Sequence, residues 1–584
     1  MDRRIISGLR TRQKGDALSV TTTAETPTLI DALGALRDRL SALALRVELP
    51  EAEEARRLRG ELVDQIDDYL LPRLRQMDAP LLMVVGGSTG AGKSTLVNSL
   101  VGAQVSAAGV LRPTTRAPVL VCHPDDLHWF EDDRVLPGLS RTSGEAPAAT
   151  GLRLTASDAL PPGLALLDAP DIDSVVTENR ALAAQLLAAA DSWLFVTTAA
   201  RYADAVPWDL LHAARERGTS LSLVLNRVPA GAGAEVSAHL RQMLAERGLA
   251  QTELLVVPET ELDDGVLLPA PALAPVARWL DDLSADAQAR SALIGRTLAG
   301  ALDSLSPRSE ALAAHVEREI ATAAALREEL EHAYARGLAE IDEAVKSGTL
   351  LRGEVLARWH DVIGTGDFMR ALETRIGWLR DRVRALVTGT PSAEAELAIA
   401  VESSIESLVH AAADRAAERA AGAWRERSAG RFLLERGGRL DAASPALPEA
   451  CAGEVRAWQG YVFDLVREEG ADKRTTARLA SLGVNGAGLT VMLAVFVQTG
   501  GLSGAEVAIA GGTSALSQKV LEAIFGDQAV RALAARARTD LMTRVERLLD
   551  AEAERFAGPL AAQAPEADAA ERLRAACRRV EQAR

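Results

Sequence analysis

Lysine occurs in this sequence only at Lys14, Lys93, Lys346, Lys473 and Lys519, so the company that Lys93 keeps is informative. The run Gly87-Ser88-Thr89-Gly90-Ala91-Gly92-Lys93-Ser94 follows an apolar stretch, Leu81–Val85, and opens a helical one, Thr95–Leu100. Residues of these types in this order bind phosphate. Glycines let the backbone turn its N–H groups inward, and a helix N-terminus behind them favours an anion. Lys93 would reach the β- and γ-phosphates of a nucleotide, and the Ser94 hydroxyl would ligate Mg2+. The expected nucleotide contacts are Gly87, Ser88, Thr89, Gly90, Ala91, Gly92, Lys93, Ser94 and Thr95. A chance Gly-rich turn is the competing reading, and the complete strand–loop–helix context argues against it.

Two further positions extend this chemistry. Asp168 ends the apolar run Leu164–Leu167, where a carboxylate can hold Mg2+ through water. An aspartate there is also a common turn former. Gly109–Pro118 precedes another apolar run, Val119–Cys122, and carries Thr114 and Thr115. A threonine in such a segment can close over Mg2+ and the γ-phosphate, with Thr115 the preferred candidate and an ordinary polar loop the alternative. The expected catalytic group is thus Lys93, Thr115 and Asp168, and the expected metal set is Ser94, Thr115 and Asp168.

Parallel strands must position these residues. Strand-like runs recur at Leu81–Val85, Val119–Cys122, Leu164–Leu167, Trp193–Thr197, Leu221–Leu225 and Leu254–Val257, most of them separated by helical patterns. That alternation describes an α/β domain, a mostly parallel sheet with helices on both faces. A flexible leader, 1–28, and N-terminal helices, 29–78, come before it. Leu29, Leu33, Leu36, Leu40 and Leu43 step by three and four, and a second helical run includes Leu58, Leu62, Ile66 and Leu70. The α/β domain spans 79–275, with a Pro/Leu-rich connector at Leu267–Pro275. From 276 to 584 the pattern is helical, a long bundle or stalk with a coiled-coil-type seam from Met369 to Leu386.

Gly86-Gly87…Gly92-Lys93-Ser94-Thr95, Thr115-Arg116-Ala117-Pro118 and Asp168-Ala169-Pro170 together resemble the GTPase domain of the dynamin superfamily, and bacterial dynamin-like proteins most of all. The motifs cover roughly 80–260, and the helical flanks match in plan. The resemblance implies GTP as the nucleotide, Mg2+ as cofactor, GTPase domains that dimerise, and a stalk whose tip meets membrane. It also implies that Asn226 and Arg227, after the fifth apolar run, sit against the base.

Three positions depart from that pattern. Pro229 stands where an aspartate would read the guanine edge, which leaves ATP open beside GTP. Asp171 replaces a glycine that would lie near the γ-phosphate, so it points away or slows hydrolysis. Thr89 replaces a glutamine common in dynamins.

Segment 479–518 is apolar and Gly-rich, with no charged residue between Arg478 and Glu506. It is either a hairpin buried in the bundle or a membrane-contacting one. Leu502-Ser503-Gly504-Ala505-Glu506 imitates an ABC-transporter signature but lies too far from the loop to serve as one.

Composition narrows the remaining classes. At 584 residues the chain exceeds one core. A net charge of −16 without a basic stripe argues against nucleic acid as a partner. Cys122, Cys451 and Cys577 are too far apart for a disulfide framework or a zinc site, which points to the cytoplasm, with the inner face of the cell membrane as an extension of that reading. Aromatic residues make up only 3%, so helices must pack closely through Ala, Leu and Val. A regulatory GTPase or nucleotide-binding scaffold acting on a protein partner is the competing function.

Overall fold

Alternate residues along each central strand feed two different cores, as expected of a sheet covered on both sides. In β1 (Leu81–Gly87), Leu82 and Val84 face one core while Leu81, Met83 and Val85 face the other. The remaining strands are β2 (Val119–Cys122), β3 (Arg141–Thr142), β4 (Leu152–Ala156), β5 (Leu164–Asp168), β6 (Ser192–Thr198), β7 (Ser220–Val228) and β8 (Glu253–Pro258). This computed structural model describes residues 26–106, 118–132, 135–136, 139–142, 151–174, 177–263, 266–346, 393–469, 492 and 527–584.

The sheet has eight strands in the order β3-β4-β2-β5-β1-β6-β7-β8. Every pairing is parallel except β2 with β5. All six strands expected from the apolar runs are present, and β3 and β4 are additional. β4 alternates buried and half-exposed residues, so it lacks the continuous apolar signal of a fully buried strand.

Helices α1 (Thr26–Ala42), α2 (Ala52–Asp64) and α3 (Leu71–Arg75) precede β1, with one π-helical turn at Gln65–Leu70 before α3. Leu29, Leu33, Leu36 and Leu40 line the buried face of α1, as their spacing requires. α4 (Lys93–Val101) follows β1; α5 (Thr177–Ala188), α6 (Ala205–Arg217) and α7 (Gly233–Glu246) follow in turn. α5, α6 and α7 cover one face of the sheet; α4 and α8 (Ala270–Ala285) cover the other. α8 corrects the expected connector at Leu267–Pro275. Pro271 falls in the first helical turn, where a missing N–H costs little, so the helix begins at Ala270; Pro275 lies inside it and the helix continues past.

The chain divides into two compact units. One comprises residues up to Leu45, Glu53–Glu317 and Glu566–Arg584; the other comprises Arg46–Ala52 and Arg318–Pro565. The unit holding the sheet thus extends beyond 79–275, taking in α2, α3, the start of α9 (Ala287–Lys346) and the terminal helix.

The second unit is helical throughout its described elements. Besides the rest of α9 it contains α10 (Ala393–Arg425), α11 (Ser428–Arg436), α12 (Leu447–Glu469) and α13 (Asp527–Gln563). Ala412, Ala413, Ala416, Ala417, Ala420 and Ala421 are fully buried along α10. Small residues let helices approach closely, which answers the shortage of aromatic side chains. The few large rings are used fully: Trp424 Nε1 donates to Leu326 O (2.9 Å) and Trp458 Nε1 to Ala537 O (2.8 Å). The last helix, α14 (Ala569–Ala583), packs on α1 in the sheet-containing unit. The expected seam at Met369–Leu386 and nearly all of segment 479–518 lie outside the described residues. No described helix is long and apolar enough to cross a membrane.

Candidate functional site

The loop between β1 and α4 is shaped by glycines with positive φ. Gly87 has φ +147°, and a Cβ on it would collide with the Val196 carbonyl oxygen of β6. Gly92, at φ +97°, would bring a Cβ within 2.5 Å of Asn226 Nδ2. L side chains avoid this region, so both positions require glycine.

Asn226, at the end of β7, donates from Nδ2 to Ala91 O (2.9 Å) and accepts at Oδ1 from Arg227 N (2.9 Å). Its amide therefore braces the loop from beneath. Arg227 has φ +54° and is exposed, outside the braced core. Gly87, Ser88, Thr89, Gly90, Ala91, Gly92, Lys93, Ser94 and Thr95 surround the junction as the spacing requires.

Lys93 is 5% exposed. Its Nζ donates to Gly87 O (2.8 Å), Ser88 O (3.1 Å) and Asp171 Oδ1 (2.5 Å). The sequence left open that Asp171 points away, and instead its carboxylate lies on the lysine. Asp168 is fully buried where β5 ends. Its Oδ2 accepts from Ser94 Oγ (2.6 Å) and Ser106 Oγ (2.5 Å), while its Oδ1 is buried without a hydrogen-bond partner. Burial raises the pKa of this carboxyl, opposed by the hydroxyls of Ser106 and Ser94 and by the charge of Lys93.

Three members of the cluster carried no motif signal. Ser106 is held by Asn98, whose Oδ1 accepts from Ser106 N (2.8 Å) and whose Nδ2 donates to Ser106 O (2.8 Å). A lone serine in a loop offers nothing periodic to detect. Asp173 Oδ1 accepts from both Thr89 N and Thr89 Oγ1, each at 2.6 Å. Arg201, just after β6, donates to Thr89 O (3.0 Å), Asp173 Oδ2 (3.1 Å) and Asp204 Oδ2 (2.8 Å). Burial works against ionising Asp173, but the Thr89 hydroxyl and N–H, with Arg201, outweigh it and lower its pKa. Nothing local to Asp173 marks it, and only the fold brings it to Thr89.

The donor set suits a small hard cation: a serine hydroxyl, a buried carboxylate with an unused oxygen, and no sulfur or imidazole. Among the described residues there is no cluster of three or more His, Cys, Asp or Glu that could hold a metal unaided. A cation here would depend on nucleotide phosphates and water for its remaining ligands, as Mg2+ usually does. Thr115, the third expected ligand, lies outside the described residues.

No protein-family model matches the chain, and no curated protein matches it. Solved structures do. Era in complex with a magnesium-bound nucleotide analogue and 16S ribosomal RNA is matched over 31% of this chain and 51% of that one, at 20% identity and TM-score 0.22. This chain thus spans about half of Era's length. LeoA, a bacterial dynamin GTPase from ETEC, is matched over 93% of this chain and 99% of that one, at 13% identity and TM-score 0.24. A member of an oligomerised bacterial dynamin pair, described as sensing and tethering membranes, is matched over 97% of this chain and 96% of that one, at 10% identity and TM-score 0.42.

Proposed function

We propose that the chain is a dynamin-like GTP-binding protein that hydrolyses GTP with Mg2+ and couples nucleotide-driven dimerisation to membrane association. The observation that carries this reading is the convergence of Lys93, Ser94 and the half-satisfied carboxylate of Asp168 at one end of β1. In this reading the N–H groups of Gly90–Ser94 cradle the phosphates, Lys93 neutralises the β/γ side, and Ser94 and Asp168 hold the cation's hydration shell. Mg2+ would supply charge neutralisation across the β- and γ-oxygens. Asn226 keeps the loop in its binding shape by fixing the Ala91 carbonyl, and Arg227 offers its side chain to the base. Thr115 is assigned to the cation and γ-phosphate by its motif alone.

Pro229 offers no carboxylate to the guanine edge, which leaves ATP as the alternative nucleotide. Identification of the nucleotide that co-purifies with the full-length protein, followed by turnover with GTP and with ATP, tests it. Lys93→Ala should abolish binding, and unchanged affinity in that variant would overturn the site assignment.

Membrane contact is assigned to segment 479–518 on its composition. Full-length protein should float with liposomes, and a version lacking 479–518 should not. If neither floats, the protein acts on a protein partner, as a regulatory GTPase or scaffold.

A further inference from the structure

The segment after β5 reaches back over the phosphate loop and occupies its donors. An ammonium group has three protons. On Lys93 they go to Gly87 O, Ser88 O and Asp171 Oδ1, at 2.8, 3.1 and 2.5 Å. Two of those acceptors are loop carbonyls, fixed by the turn that makes the loop. The third is a side chain, 22% exposed, on the segment that would face a terminal phosphate.

Asp173 reinforces the arrangement. It holds Thr89 through both the backbone N–H and the hydroxyl, and it ties Arg201 to the same rim. Carboxylate and phosphate oxygens recruit the same charged donors. A nucleotide's terminal phosphate must therefore take from Lys93 the contact that Asp171 holds, or approach Asp171 as a like charge. A diphosphate, ending one phosphate earlier, meets less of this competition.

We propose that Asp171, backed by Asp173, is a specificity-determining residue of the phosphate site: an internal carboxylate that stands in for the terminal phosphate and shifts preference from triphosphate towards diphosphate. The proposal rests on the nucleotide-binding reading of this site. It has a mechanical consequence. Triphosphate binding must draw the Asp171 carboxylate off Lys93.

The test is equilibrium binding to the full-length protein with Mg2+, using GMPPNP against GDP and AMPPNP against ADP. Wild type, Asp171→Asn and Asp173→Asn are compared. Asp171→Asn keeps the shape and an acceptor for Lys93 but removes the charge. It should tighten triphosphate-analogue binding about tenfold and diphosphate binding less than about twofold, whichever base is used. Asp173→Asn, which does not touch Lys93, should move the triphosphate-to-diphosphate ratio by less than about threefold. Thermal unfolding of each nucleotide-free variant verifies that it is folded, and Asp171→Gly serves as the second variant, with the same expected ratio. An unmoved ratio, or weaker triphosphate binding in both Asp171 variants, overturns the proposal while leaving the nucleotide site intact. Absence of binding to any of these nucleotides, wild type included, overturns the site reading and this proposal together.

Discussion

Replacing Asp168 by Asn separates a carboxylate that serves a cation from one that merely shapes a turn. In the nucleotide-free protein the substitution has two opposing effects. Two hydroxyl donors, Ser94 and Ser106, lose a charged acceptor, a weakening of roughly 1 kcal/mol each. Against that, a fully buried charge with one unpartnered oxygen is removed, worth roughly 1–3 kcal/mol. The net change in stability should lie within about 1 kcal/mol of zero. The ligand-bound protein behaves differently. At a nucleotide concentration about 100 times its Kd, wild type should gain about 2.7 kcal/mol. A residue orienting the cation's shell typically changes affinity about 10–100-fold. At the upper end the same nucleotide concentration would stabilise Asp168→Asn by only about 0.4 kcal/mol. Denaturant unfolding with and without Mg2+ and GMPPNP reads both numbers. A variant that loses about 2 kcal/mol or more without nucleotide, yet keeps the full ligand-induced gain, would refute the metal role and leave Asp168 a turn former.

Gly92→Ala should disable the loop, since its Cβ would strike Asn226 and its φ of +97° is strained for any L residue; nucleotide titration should show binding lost while circular dichroism stays helical. Arg73 pairs with Asp191 in the sheet-containing unit, where both are buried. Arg73→Met strands that charge and should cost about 3–5 kcal/mol in denaturant unfolding, whereas Arg73→Met with Asp191→Asn should recover much of it. Asp68 is pushed up to about 6 by burial first and then by the neighbouring Asp64 charge. A carboxyl raised on folding adds stability that is fully present below its unfolded pKa and is lost as pH rises through the folded value. Asp68→Asn should therefore flatten the fall in stability between about pH 4 and pH 6, and an unchanged pH profile would contradict that account.

The legible parts of the molecule were those where one physical requirement acts on contiguous residues. β1, β5 and β6 are buried on both faces, so each wrote an uninterrupted apolar run, and β7 wrote one broken only at Ser222. The loop glycines and Lys93 form a compact spacing because a phosphate demands it. β4 stayed hidden because only one of its faces is apolar, and α8 because Pro271 and Pro275 near its start imitate a connector. Asp173, Ser106 and Arg201 went unseen for another reason. Their partners are distant in sequence, and nothing about a single Asp, Ser or Arg announces that the chain will return it to Thr89 or Asp168. Asp171 breaks a pattern visible in the sequence, but its partner is not visible there, and only the fold places Lys93 against it.

β6 joins the two kinds of residue. At its start, Asp191 receives Arg73 of α3 through its carboxylate, and its backbone carbonyl accepts from Thr297 Oγ1 of α9 (2.8 Å). Thr297 also takes the N–H of Ser220, at the start of β7 (3.2 Å). Gly300, one helical turn on, packs against Gly218 so closely that a Cβ on either would strike the other's backbone. Beyond the other end of β6, Arg201 grips Thr89 and Asp173. The phosphate-loop rim and the helix clamp are thus held at opposite ends of one strand. α9 runs on from that clamp, beyond Glu317, into the helical unit. The charged pair, the hydroxyl bridge and the glycine contact therefore fix the far end of the strand that leads to the Arg201 side of the phosphate site.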